Sequence, residues 1–212
     1  MVDLKLSRKA LLGKEERSKP LIFDFLIIFL LTLMVTNIVI QSLWLSPVKV
    51  SGDSMNLTLD NGDWLLMSKI KEPERGDVVV FAKNKHVNYI KRIIALEGDT
   101  LYANEDGIYL KKKGQSEFVL IDDDHAYYSQ DSEYDPTFTY IPLTVVGEGE
   151  MYVLGDNRND SKDSRDKTVG LVKTSSILGI VPEWAIEHRG QYSGYLDFIE
   201  NMSNWLRGIF GN

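Results

Sequence analysis

The chain has 212 residues, 24 basic and 31 acidic, and a net charge of −7. It has no cysteine, which excludes disulfides and thiol-ligated metals and suits an exported domain in a cell that makes little use of disulfides. The acidic balance argues against nucleic acid as a partner.

The first twenty residues run against that balance. They hold six basic residues (Lys5, Arg8, Lys9, Lys14, Arg17, Lys19) and three acidic ones (Asp3, Glu15, Glu16), so they carry +3 and leave −10 for the remainder. Residues 21–45 come next with one charge, Asp24; residues 25–45, 21 in all, have none. At about 1.5 Å per residue they make roughly 31 Å of helix, against about 30 Å of bilayer hydrocarbon. Thr32, Thr36, Asn37, Gln41 and Ser42 make the span more polar than most anchors, so a buried soluble helix and a cleaved leader are alternatives. A leader has a shorter apolar region, about 7–15 residues, with small residues after it. Here the exit is Leu43-Trp44-Leu45-Ser46-Pro47. The expectation is an uncleaved anchor, with Trp44 at the interface and Pro47 unable to continue the helix. The positive-inside rule keeps the N-terminus cytoplasmic and exports the rest to the extracellular face.

From residue 46 to about 188 the pattern is strand-like. Residues 63–68, 77–81, 86–96 and 151–154 are short apolar or β-branched runs. Asn61-Gly62, Arg75-Gly76, Glu97-Gly98-Asp99, Asp106-Gly107 and Gly147-Glu148-Gly149 punctuate them as turns. Residues 101–110 read as a hairpin about Asp106-Gly107. Without βαβ alternation, an antiparallel, mainly β domain is expected. Residues 122–135 read as an acidic solvated loop, with a calcium site as the alternative. Residues 189–212 read as an amphipathic tail, either docked on the domain or lying at the membrane surface.

The chemistry begins with Ser54, in Gly52-Asp53-Ser54-Met55. A serine hydroxyl needs a neighbouring base to take its proton. None of His86, His125 and His188 has a triad context. Lys91 is different: strand alternation groups it with Val87, Tyr89, Ile93 and Ala95. Desolvation there disfavours the ammonium and lowers its pKa; the alternative is a lysine snorkelling from a strand edge. A third segment, residues 155–165, is almost wholly polar directly after an apolar strand. It is either a solvated loop or a shell that orients a buried amine through Ser161 or Ser164.

Four motifs in order decide the reading. Ser51-Gly52-Asp53-Ser54-Met55-Asn56-Leu57-Thr58-Leu59, Arg75-Gly76-Asp77-Val78-Val79-Val80-Phe81, Tyr89-Ile90-Lys91-Arg92-Ile93-Ile94-Ala95-Leu96-Glu97-Gly98-Asp99 and the run from Gly155 to Arg165 resemble the type I signal peptidases, in the single-span form of Gram-positive bacteria. The resemblance implies a membrane-bound serine endopeptidase that cleaves signal peptides from exported preproteins. Ser54 would be the nucleophile and Lys91 the general base. Ser161 matches the hydrogen-bond partner of the lysine amine, Asp163 and Arg165 match an ion pair near the site, and Arg92 lies close by. Met55, Tyr89 and Ile90 match the substrate-binding wall, where small residues are preferred three before and one before the cut. The implied fold is two coiled antiparallel β-sheets after one transmembrane helix. The implied partners are preprotein signal peptides and membrane lipid, with no metal and no cofactor.

The chain departs from the family pattern at Leu57, where relatives usually carry proline, and at Gly52, where some carry a serine that helps bind the oxyanion. With Gly52 there, the backbone N–H of Ser54 is the remaining obvious donor. Divided by function, residues 1–20 are a cytoplasmic basic segment, 21–45 the anchor, 46–188 an exported catalytic β domain and 189–212 the tail. A non-catalytic assembly or chaperone factor for exported proteins is the alternative. Intact Ser54 and Lys91 argue against it.

Overall fold

The computed structural model describes residues 21–128, 140–191 and 193–210. Helix α1 (Leu21–Trp44) takes up the apolar span. Its Ile22–Val39 stretch has a mean hydropathy of 2.4 and none of it is buried; among the described residues α1 alone is long and apolar enough to cross a membrane. The chain forms two compact units, Met1–Ser42 and Leu43–Asn212, and the second carries every strand described.

The strands are β1 (Leu45–Lys49), β2 (Trp64–Ser68), β3 (Val78–Ala82), β4 (Asn88–Leu96), β5 (Thr100–Asn104), β6 (Gly107–Lys111), β7 (Val119–Leu120), β8 (Ile141–Val145), β9 (Glu150–Leu154), β10 (Val172–Lys173) and β11 (Ile177–Val181). Two helices come after them, α2 (Glu183–Glu187) and α3 (Ser193–Phe210). The strands build a seven-stranded sheet in the order β1-β2-β11-β3-β4-β9-β10 and a four-stranded sheet in the order β7-β6-β5-β8. All the strand pairings are antiparallel. This is the mainly β, two-sheet architecture expected, and β5 and β6 form the expected hairpin, closing from Thr100↔Lys111 to Asn104↔Gly107.

The apolar runs of the sequence correspond to β2, β3, β4 and β9. The pattern does not reveal β1, β8 and β11. Pro47, assigned only to the end of the helix, sits inside β1. β1 is an edge strand, where a residue without an N–H costs the ladder least.

β4 is central, between β3 and β9. Its tyrosine and three isoleucines suit a covered strand, and residues 91–95 are all buried. The expected alternation fails at both ends of this strand. Val87 precedes β4 and is 40% exposed, so it adds little to the lysine's surroundings. A register shift between Ile93 and Ala95 interrupts the pairing with β9, and such a bulge re-aims the side chains beyond it. Ile93 packs with Val79, Phe81, Met151 and Val153. Ile94 and Ala95 instead join Tyr152 and Leu154 in one apolar cluster with Leu101, Ala103, Ile108, Leu110 and Ile141 of the smaller sheet. That cluster binds the two sheets together.

The chain passes between the sheets at the turn from β4 to β5. Asp99, wholly buried there, accepts two bonds of 2.6 Å from the Arg75 guanidinium and one of 2.9 Å from each of the Leu96 and Lys113 N–H groups. Burial pushes the carboxyl up, but these donors outweigh it and hold it below its ordinary 3.8. Asp99→Ala strips the partners from two N–H groups and is expected to cost about 2–4 kcal/mol. Urea unfolding of the detergent-solubilised chain measures this. A carboxyl with a depressed folded pKa stabilises above its unfolded value and loses that contribution on acidification. The gap between wild type and variant should therefore narrow as the pH falls below 3.8.

Candidate active site

Ser54 lies in the loop between β1 and β2. The loop is closed by Val50 N–H to Asp63 O at 2.8 Å and Gly62 N–H to Val50 O at 3.0 Å. Met55 and Leu59, both buried, pin it to Val78, Val80 and Ile90, with Ala185 of α2 in the same cluster. Gly52 has φ +92°, a left-handed backbone that side chains rarely tolerate. That explains glycine, and not serine, at this position.

Lys91 reaches the same point from β4. Its Nζ is 2.5 Å from Ser54 Oγ and donates to Ile90 O at 2.9 Å. It also stands 5.6 Å from the centre of the Tyr89 ring. The residue is 4% exposed. Burial lowers the amine from 10.5 to about 8; Asp163, Asp156 and Asp160 pull it back up, and Arg165 assists the lowering. Lys91 thus sheds its proton far more readily than a free lysine, and does so beside a hydroxyl.

Residues 155–165 complete the arrangement from the far end of the chain. Asn157 N–H donates to Ser54 O at 3.1 Å, and its side-chain Nδ2 donates to Asp53 O at 3.1 Å. Asp156, wholly buried, receives Arg92 through Nε at 2.9 Å and a terminal nitrogen at 2.6 Å, and Thr58 Oγ1 at 2.6 Å. Asp163 accepts from Arg165 at 2.8 and 2.7 Å and from Gly155 N–H at 2.9 Å. A Cβ on Gly155 would overlap Ser161 Oγ and the Ser54 carbonyl, so two backbones meet there without room for a methyl group. Arg158 is buried, donates to Gly155 O at 3.1 Å and forms a two-pronged pair with Asp123.

A cleft of about 350 Å³ opens beside the pair. Val48, Lys49 and Val50 line one part of it and Asn88, Tyr89 and Ile90 another, with Ser54, Met55 and Lys91 between them in the lining. His86, His125 and His188 are exposed. The arrangement can remove a proton from a hydroxyl and present the oxygen to a bound carbonyl.

Residues 22–184 match the family model described as "Signal peptidase, peptidase S26". The chain belongs to this signal peptidase family. It is accordingly a serine endopeptidase of the type I signal peptidase class. The chain is 32% identical over 172 residues to "Signal peptidase I P" of Bacillus subtilis subsp. natto, covering 79% of this chain and 90% of that protein. It is 33% identical over 151 residues to "Signal peptidase I" of Bacillus licheniformis, covering 69% and 79%. A solved signal peptidase I from Enterococcus faecalis V583 aligns with TM-score 0.39 and 29% identity, covering 53% of this chain and 99% of that one.

Within this signal peptidase, the nine residues singled out from sequence fall in three groups. Ser54, Lys91, Met55, Tyr89 and Ile90 share the cleft. Asp163 and Arg165 form the expected pair, whereas Arg92 is committed to Asp156. Ser161 departs from expectation. Among the described residues its buried Oγ has no hydrogen-bond partner, and the Lys91 amine is engaged by Ser54 and the Ile90 carbonyl. Leu57 points outward, 67% exposed, beyond a cis Asn56–Leu57 peptide. Sequence reasoning missed Asp156, Asn157 and Lys49. The first two were visible as part of the polar run. Lys49 could have been flagged by its closeness to Ser54 in the chain. Residues 129–135 of the acidic loop lie outside the described residues.

A lysine with a depressed folded pKa binds fewer protons folded than unfolded, so folding is penalised below about 8 and the penalty fades towards 10.5. Lys91→Met should therefore raise stability near pH 7, by roughly 1–3 kcal/mol, with the gain shrinking by pH 10.5. Urea melts at the two pH values measure it; a Met variant less stable at pH 7 would contradict the desolvation account.

Proposed function

We propose that this peptidase cleaves signal peptides from exported preproteins at a membrane surface, with Ser54 as nucleophile and Lys91 as general base. The observation that carries this reading is the 2.5 Å approach of a buried lysine amine to a serine hydroxyl beside an open cleft. The neutral amine takes the proton as Ser54 Oγ bonds to the scissile carbonyl carbon. The oxyanion that forms accepts from the Ser54 backbone N–H. Collapse expels the new N-terminus, which takes the proton from the lysinium, and leaves an ester on Ser54. Water, deprotonated by the same amine, then hydrolyses the ester. Met55, Tyr89 and Ile90 form the wall against which the signal-peptide end would lie, favouring small residues. Asp163, Arg165 and Arg92 act by holding the loops.

The +3 segment ahead of α1 supports an anchor with its N-terminus in the cytoplasm and the domain on the extracellular face. The substrate is itself inserted in the membrane, so confinement to one surface raises the effective concentration. The non-catalytic alternative is not favoured: it leaves the buried amine and its hydroxyl without a purpose.

Ser54→Ala should abolish cleavage of a model preprotein while circular dichroism stays unchanged. Lys91→Arg should also be inactive, because a guanidinium keeps its proton at every working pH. In the wild type, kcat/KM should rise with pH about a midpoint near 8. Full activity in either variant ends the dyad reading.

Orientation is tested separately. Protease added to intact protoplasts should digest residues from 47 onward and spare an epitope within residues 1–20. Protection of the large domain would reverse the topology.

A further inference from the structure

Lys49 ends β1 and lines the cleft. Its ammonium is not free to sweep that space. It donates to Asp197 Oδ1 at 2.9 Å and to Glu200 Oε2 at 3.2 Å, both on α3. It also stands 5.2 Å over the ring of Trp64, its cross-strand partner on β2. Trp64 Nε1 donates to the same Asp197 oxygen at 2.7 Å. Asp197 and Glu200 are three residues apart, one turn of the same helix face. The four side chains form a closed set that spans edge strand, neighbour and helix.

The side chains of Lys49, Asp197 and Glu200 are about two-fifths exposed, and exposed ion pairs add little to stability. What the set supplies is position: a long flexible side chain held in one place by two carboxylates. Asp197 and then Glu200 raise the Lys49 amine above 10.5, so it stays charged while Lys91 titrates. α3 lies beyond residues 22–184, the part of the chain matched to the family.

We propose that α3 is a specificity clamp, in which Asp197 and Glu200 hold Lys49 and thereby set the shape and charge of the cleft wall that meets the preprotein. This rests on the reading of the cleft as the substrate site. Two carboxylates against one ammonium leave this set, directly behind the Lys49 part of the wall, with one negative charge in excess. A substrate residue passing β1 is therefore favoured when basic and disfavoured when acidic. Without the carboxylates, Lys49 is released and the sign reverses. Lys49 acts on substrate choice and takes no proton in the reaction.

The test uses the full chain in detergent and a set of cleavage-site peptides carrying Lys or Glu at one position at a time near the cut. Binding is measured by fluorescence anisotropy in the Ser54→Ala background, where no turnover intervenes, and turnover is measured with Ser54 present. At the position facing Lys49, the Lys-over-Glu affinity ratio should fall by about threefold or more in Asp197→Asn/Glu200→Gln. It should rise in Lys49→Met, which keeps an apolar stem but unmasks both carboxylates. The turnover midpoint near pH 8 should stay in place. Ratios unchanged at every position, or a uniform loss for Lys and Glu peptides alike, would overturn the clamp. Failure of wild-type turnover with the binding ratios still shifting would instead sink the catalytic reading and leave the clamp standing.

Discussion

A primary amine kept out of water next to a hydroxyl is the constraint on which the rest of the domain depends. Water stabilises an ammonium strongly, so an amine sheds its proton near neutral pH only where most of its surroundings are walled off from water. β4 provides it by being central: β3 and β9 flank it, and five consecutive residues from Lys91 are buried. The burial that lowers the lysine to about 8 works against three nearby aspartates. Desolvation wins because two of those aspartates are themselves spoken for: Asp156 by Arg92 and Asp163 by Arg165.

Those arginine pairs carry a second duty. Each is a two-pronged match between a rigid donor fork and a carboxylate, which fixes orientation as well as distance. Three of them, Arg92–Asp156, Arg165–Asp163 and Arg158–Asp123, converge on residues 155–165. With little apolar packing of its own, that loop takes its shape from them. It passes the shape on through Asn157 to the backbone of Ser54.

Much of this was legible in the chain. β4 announced itself by its β-branched residues, and Lys91 by sharing a strand face with apolar neighbours. The β5–β6 hairpin was readable from its Asp-Gly turn. Other features depended on tertiary context. β1, β8 and β11 are short, partly exposed strands; β8 and β11 pair with strands far away in sequence and β1 is a sheet edge, so no local period marks them. The bulge after Ile93 is a property of the β4–β9 pair, and no single-strand alternation can foresee it. Ser161 matched a motif position, but its bonding depends on where the lysine's donors point, which composition does not encode. α3 read as amphipathic, with docking and membrane left open; Asp197 and Glu200 became meaningful only once Lys49 stood opposite them.

The contact at Gly155 bears on when the enzyme comes into being. Ser54 and Lys91 are 37 residues apart, close enough to meet early as the chain emerges. The segment that grips the serine loop arrives much later: the bonds from Asn157 to Asp53 and from Thr58 to Asp156 join residues 104 and 98 apart. Such long-range closures form late in folding, since the intervening chain must be ordered before they are rewarded. A partly folded chain therefore holds Ser54 and Lys91 without the brace that aligns them. The aligned Ser54–Lys91 pair is thus a product of the finished fold and not of either segment alone.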